Sequence, residues 1–211
     1  LVGGTGENMI AVVPGANGTI GEAQVGAVMD AMRSDDVLML QMEVPAAAIE
    51  AALDAARAKG IVSVLNTAPL TEDAARLARL ADVVVANETE FELLAGATDL
   101  SPADREDALK RMHDETGQTY IITLGAEGVI AFRGGVLHRA QGLKIEPIDT
   151  VGAGDTFCGY LAAGLDRRIP FDQALRRAAV AGSLACLKPG AQPSIPTEAE
   201  VSRHLQAGPA L

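Results

Sequence analysis

The sequence has no tryptophan, two tyrosines and four phenylalanines, so aromatic residues fill only 3% of its 211 positions. A core without large rings must be assembled from small and branched aliphatics, a filling that suits alanine-rich helices laid on a valine- and isoleucine-rich sheet. Cysteine is equally scarce. Cys158 and Cys186 are the only two, and they form neither a CxxC pair nor a metal-like spacing. Buried free thiols in a reducing, cytoplasmic compartment are therefore expected. The longest apolar stretch, near 178–187, falls well short of the ~18–20 residues that a bilayer span requires.

Positive charge is in deficit. Seventeen Lys and Arg stand against 28 Asp and Glu, for a net charge of −11 and an isoelectric point near 4.7. Such a chain is repelled by DNA, RNA and anionic lipid unless it carries a local basic patch, and the sequence contains none, so neither nucleic acid nor membrane is an expected partner. A nucleotide is not excluded, because helix N-termini and bound Mg²⁺ can hold phosphates without a basic surface. With 48% hydrophobic and 21% charged residues, the composition is that of a globular domain rather than a disordered or fibrous chain.

Short β-branched runs alternate with helical periodicities. Strands are expected at 9–13, 37–42, 61–65, 82–85, 119–124, 129–133 and 136–139, the last two joined by Gly134-Gly135 as a hairpin. Helices are expected at 22–33, 45–59, 71–80, 88–95, 101–115, 154–166, 171–187 and 197–206. The alternation from 37 to 124 predicts βαβ units on a doubly wound, mainly parallel sheet covered by helices on both faces, within one α/β unit. Residues 1–18 read as the remainder of a lid or hairpin region, 19–206 as the α/β core and 207–211 as a loose tail. The opening Leu1-Val-Gly-Gly, a glycine-rich turn without Met, suggests a fragment or a trimmed terminus.

Several familiar chemical motifs are missing: GxxxxGK[ST], a GxGxxG after a strand, HExxH and GxSxG. His113, His138 and His204 are scattered and expected on the surface. The informative segment is Asp149-Thr-Val-Gly-Ala-Gly-Asp-Thr-Phe157, placed where a loop enters a helix. Consecutive small residues at 152–154 let backbone N–H groups at a helix N-terminus meet an anion. Asp155 in the same turn is well placed to take a proton from an attacking hydroxyl. Taken alone, the segment reads equally well as a tight turn whose Asp caps the helix.

DTVGAGDTF closely resembles the C-terminal signature of the ribokinase-like sugar kinases, the phosphofructokinase-B family. Other segments match the family in order: Gly6-Glu7-Asn8 with Pro14-Gly-Ala-Asn17, Leu40-Gln-Met-Glu43, Asn66-Thr-Ala-Pro69, Asn87-Glu-Thr-Glu90, Thr123-Leu-Gly-Ala-Glu-Gly128 and Lys188-Pro-Gly-Ala-Gln-Pro-Ser194. The resemblance implies transfer of the γ-phosphoryl of ATP to the primary 5-hydroxyl of a pentose, ribose before others. It makes Asp155 the general base, with the N–H groups of Gly152, Ala153 and Gly154 as the anion hole. It also implies Asn87 and Glu90 holding Mg²⁺ (largely through water) and the ATP phosphates.

The same resemblance lays Thr123, Leu124, Gly125, Ala126, Glu127 and Gly128 along the nucleotide, and sets position 179 beside its base. Relatives often carry Asn or His there where this chain has Ala179. Glu43 matches a sugar contact. Asp149, the carbonyls of Val151, Ala185, Lys188 and Gly190, and the Ser194 hydroxyl match a monovalent-cation site, whose one carboxylate among carbonyls suits K⁺ better than Mg²⁺. Without the resemblance, Asn87 and Glu90 would read as a helix cap and Asp149 as a solvated turn residue. Family members often pair through their lid, which implies a homodimer. The family's Asp-containing first strand and its GGKGAN-like motif have no counterpart here. About a third of the expected chain is therefore missing, and an unpaired sheet edge with an exposed apolar face should result.

Overall fold

The computed structural model describes residues 13–206. Within them a six-stranded sheet runs in chain order: β1 (Val37–Leu40), β2 (Val62–Asn66), β3 (Val83–Asn87), β4 (Thr119–Thr123), β5 (Val129–Arg133) and β6 (Val136–Ala140). The first four strands are parallel, and β5 and β6 close the far side as antiparallel neighbours. The helices are α1 (Glu22–Ala31), α2 (Ala46–Lys59), α3 (Ala74–Ala78), α4 (Glu88–Ala95), α5 (Pro102–Thr116), α6 (Ala153–Asp166), α7 (Phe171–Ala185) and α8 (Glu198–Gln206).

Strand alternation divides the interior into two layers. Leu65, Val84, Ala86, Tyr120, Ile122, Ile130 and Phe132 face α2, α3, α4 and α5, meeting Leu53, Leu77, Phe91 and Leu109. Val64, Val83, Val85, Ile121, Val129 and Ala131 face the other way, onto Phe157, Cys158 and Leu161 of α6 and Leu175 and Ala178 of α7. A sheet buried on both faces needs near-continuous apolar strands, which explains the valine runs. Each fully buried Leu, Ile or Phe contributes roughly 1.5–3 kcal/mol of transfer free energy.

Helix ends follow their local chemistry. Gly60, Gly96 and Gly117 stop α2, α4 and α5 in the left-handed conformation that glycine adopts without penalty. The α6–α7 crossing is tight: a Cβ at Gly164 would lie 2.9 Å from the Ala174 Cβ.

Several expectations shift. The helix expected at 71–80 shortens to α3, and the strand at 37–42 ends at Leu40. In α1 only Met29 is buried, and Val28 beside it is exposed. Pro14–Asn17, matched above to a hairpin, lies in a 3₁₀ turn over Gly15–Thr19. The strand expected at 9–13, apart from Val13, the Gly6–Asn8 match and the tail 207–211 lie outside the described residues. β1 is the edge of the described sheet, and Met39 and Val62 on its α6-facing side are 44% and 41% exposed.

Two histidines are not simply solvated. The Nδ1 of His113 lies 2.7 Å from the carbonyl of Gln118, and its Nε2 accepts the Gly135 N–H. His138 bonds Asp172 and packs edge-on against Phe171.

Candidate active site

The parallel register collects the ends of three strands at the carboxyl edge of the sheet, where ligands of such sheets bind. Asn66 pairs with Val85, and Asn87 with Thr123. β3 runs into α4 without a loop, because Asn87 both ends the strand and caps the helix. Its Oδ1 accepts the Glu90 N–H at 2.9 Å, and Glu90 Oε2 accepts the Asn87 N–H at 3.0 Å, a reciprocal capping box. Glu90 Oε1 accepts from Asn87 Nδ2 at 2.9 Å.

The Glu90 residue is only 6% exposed. Among the described residues no Lys, Arg or His pairs with it. Its hydrogen-bond donors are all neutral, so no protein cation competes for the carboxylate. No three His, Cys, Asp or Glu side chains gather into a metal-holding group among the described residues. Glu90 and Asn87 fit a hydrated Mg²⁺, which retains several waters and needs only one or two protein carboxylates.

The start of α6 carries the other group of expected residues. Gly152 caps it at φ +76, and a Cβ there would come within 3.1 Å of the Ala191 Cα and Cβ, so any other residue would be both strained and crowded. The predicted three-donor anion hole is changed in one member, since the Ala153 N–H turns back to the Thr150 carbonyl at 3.3 Å. The N–H groups of Gly152, Gly154 and Asp155 donate to no acceptor among the described residues. Asp155 is exposed beside them and lines a cavity of about 300 Å³ together with Thr156, Tyr160, Arg167 and Arg177. Asp155 and Glu90 act on one group: burial first, then these two carboxylates, push the Cys158 thiol up to about 12.

The loop before α6 is pinned to the end of α7. The N–H groups of Ile148 and Asp149 donate to the Cys186 carbonyl at 2.8 and 3.3 Å. The Asp149 carboxylate accepts the N–H of Gly190 at 2.8 Å and of Val151 at 3.0 Å. These two donors, Gly190 the stronger, hold its pKa below the usual carboxylate range. Ser194 is fully buried and its Oγ donates to the Ala191 carbonyl at 2.7 Å. Asp149, Val151, Gly190 and Ser194 therefore belong to one knot that also contains the end of α7 at Ala185. The Lys188 side chain turns away to Glu200.

Other expected residues are placed less directly. Thr123 ends β4 beside Asn87, and Gly125–Glu127 form an exposed 3₁₀ turn closed by the Leu124 N–H to the Gly128 carbonyl at 2.8 Å. Gly128 has a structural duty, since a Cβ would lie 2.4 Å from the Ala140 carbonyl oxygen. Ala179 is only 8% exposed and belongs to the α7-side core, and its carbonyl accepts the Ser183 hydroxyl. Glu43 is exposed, its N–H bonded to Gln41, and no described contact joins it to Asp155.

Sequence reasoning assigned no role to Thr67 or Thr156. Thr67 is fully buried at the end of β2 and donates to Glu90 Oε2 at 3.0 Å. Thr156 is 3% exposed and its Oγ1 has no partner among the described residues. Both lie inside matched segments, Asn66–Pro69 and Asp149–Phe157, and that membership was the available signal.

Residues 1–198 match the family model for pfkB family carbohydrate kinases. The chain is 36% identical over 203 residues to a ribokinase of Haemophilus influenzae, covering 95% of this chain and 65% of that one. It is 35% identical to a ribokinase of Staphylococcus aureus, covering 96% of this chain and 67% of the relative. The structure of Arabidopsis thaliana ribokinase complexed with ribose and ATP superposes with a TM-score of 0.84 at 26% identity, over 97% of this chain and 67% of that one. The chain thus spans about two thirds of the length of these relatives. With its mostly parallel sheet and its capped α6 start, it belongs to the pfkB family of carbohydrate kinases.

Proposed function

We propose that this chain supplies the nucleotide-binding part and the general base of an ATP-dependent sugar kinase acting on the primary 5-hydroxyl of ribose. The observation that carries the reading is the exposed Asp155 carboxylate on the first turn of α6, beside N–H groups that have no protein acceptor among the described residues. Phosphoryl transfer asks a protein mainly for positioning and charge stabilisation. Asp155 takes the proton of the attacking hydroxyl. The N–H groups of Gly152 and Gly154, at the positive end of a 14-residue helix, hold the charge that develops on the transferring group.

Asn87 and Glu90 would hold Mg²⁺, which when bound neutralises phosphate charge. The Asp149 knot, with the carbonyls of Val151, Ala185, Lys188 and Gly190 and the Ser194 hydroxyl, would hold K⁺ and so order the loop that carries Gly152. Thr123 through Gly128 would pass along the nucleotide, with position 179 beside its base, where Ala179 offers no polar contact, and Glu43 toward the sugar. The choice of ribose is supported by the relatives at 36% and 35% identity, both of them ribokinases.

The test is a coupled ADP-release assay on the longest natural form of the protein with ribose, other pentoses and nucleosides, in K⁺ or in a bulky organic cation, with the product's phosphorylated position read by NMR. Ribose 5-phosphate formed faster in K⁺ is the expected result. Turnover confined to another sugar would replace the substrate. Nucleotide binding without any turnover would make the chain a non-catalytic binding fragment.

A further inference from the structure

The Glu90 carboxylate is held from two elements that are distant in sequence. α4 supplies the Asn87 N–H to Oε2 at 3.0 Å and the Asn87 amide to Oε1 at 2.9 Å. β2 supplies the Thr67 hydroxyl, 3.0 Å from Oε2. Thr67 is itself immobilised: it is fully buried, its N–H donates to the Val85 carbonyl at 2.9 Å, and its Oγ1 also lies 3.2 Å from that carbonyl. Oε2 therefore carries two donors and Oε1 carries one, so the spare acceptor capacity lies on Oε1. A carboxylate pinned at one oxygen by a rigid neighbour cannot swing about its terminal torsion, which is otherwise broad and soft. A threonine is unnecessary for capping α4, because the Asn87–Glu90 box is complete without it.

Resting on the kinase reading above, we infer that Thr67 is a positioning residue for the nucleotide's metal: its hydroxyl fixes Glu90 so that Oε1, not Oε2, is presented to the hydrated cation. The methyl and hydroxyl of Thr67 have separate duties. The methyl fills space at the end of β2, and the hydroxyl orients the carboxylate. Thr67→Val keeps the shape and removes only the donor, and Thr67→Ser keeps the donor and removes only the methyl.

The experiment measures binding of a non-hydrolysable ATP analogue by calorimetry across a Mg²⁺ titration, for the unsubstituted chain, Thr67→Val and Thr67→Ser. Thr67→Val should raise the Mg²⁺ concentration for half-maximal nucleotide binding about tenfold, the scale of losing one hydrogen bond to a charged group. Binding measured without Mg²⁺ should be unchanged, and Thr67→Ser should restore the Mg²⁺ response to within about threefold of the unsubstituted chain. A double-mutant cycle of Thr67→Val with Glu90→Gln, read by urea unfolding, gives a second measure free of ligand. The two changes should be non-additive, as they are for groups in direct contact.

An unchanged Mg²⁺ response in Thr67→Val, or a serine variant as impaired as the valine one, overturns the role of Thr67 while leaving the nucleotide site standing. Additive effects in the cycle overturn the contact itself. No Mg²⁺-dependent binding by the unsubstituted chain overturns the kinase reading and this inference with it.

Discussion

Gly152→Ala tests the link between the α6 cap and the Asp149 knot. Gly152 sits at φ +76, where an alanine costs about 1–2 kcal/mol relative to glycine through its Cβ. The new methyl would also meet Ala191 Cα and Cβ at 3.1 Å, inside the ~3.5–4.0 Å of a favourable carbon contact. Ala191 cannot retreat freely, because the preceding Gly190 N–H is bonded to Asp149 and its own carbonyl accepts the Ser194 hydroxyl. Conformational strain and crowding together should destabilise the chain by about 2 kcal/mol, lowering Tm by roughly 4–8 °C for a domain of this size. The same displacement moves the Gly152 and Gly154 N–H groups, so kcat should fall by ~10²-fold, the scale of losing one anion-hole donor, with little change in KM for sugar. Urea unfolding and steady-state kinetics on the same preparation check both numbers. A variant within about 0.5 kcal/mol of the parent with undiminished kcat would refute the reasoning, since surface changes without strain fall in that range.

Cys158 is 2% exposed and its thiol is pushed up to about 12 by burial and by the nearby Asp155 and Glu90 carboxylates. It should resist alkylation by iodoacetamide at pH 8 in the native chain and react fully in urea, as mass spectrometry would show; rapid native labelling would contradict its burial. Glu200 accepts the N–H and hydroxyl of Thr197, and these bonds, with Lys188, lower its pKa from 4.5 to about 2. Its folded value is depressed, so its contribution to stability is complete above pH 4.5 and is lost as pH falls toward 2. Unfolding curves of the parent and Glu200→Gln should therefore separate above pH 4.5 and converge near pH 2. Parallel curves across that window would dismiss the Thr197–Glu200 cap.

The α/β order was legible because it rests on local signals. Valine runs marked the strands, and Gly60 and Gly96 marked helix ends that the structure bears out. The pairing of Asn87 with Glu90 followed from its i, i+3 spacing, and the capping box realises it. What escaped was set by contacts between distant segments. Gly128 matched a nucleotide loop, yet its lack of a Cβ is demanded by the Ala140 carbonyl across the β5–β6 ladder. Ala179 stands at the position matched to a base contact, and the packing of α7 on the sheet also makes it part of the core. His113 read as a surface residue, yet the β5–β6 turn folds over the end of α5 and brings the Gly135 N–H to it. Thr67 could not be assigned to Glu90 because 23 residues separate them, and only the β2–β3 register closes that distance.

The decisive measurement is the turnover of Asp155→Asn with ribose and Mg²⁺–ATP in the longest natural form of the protein, beside calorimetry of the same variant with a non-hydrolysable ATP analogue. The substitution keeps size and polarity on the exposed first turn of α6 and removes only the capacity to take a proton. The kcat should drop by ~10²–10⁴-fold, the usual worth of a general base, while nucleotide affinity stays within about threefold. A variant that turns over at the parent rate would take the base role from Asp155, and the reading of α6 as the catalytic element would go with it.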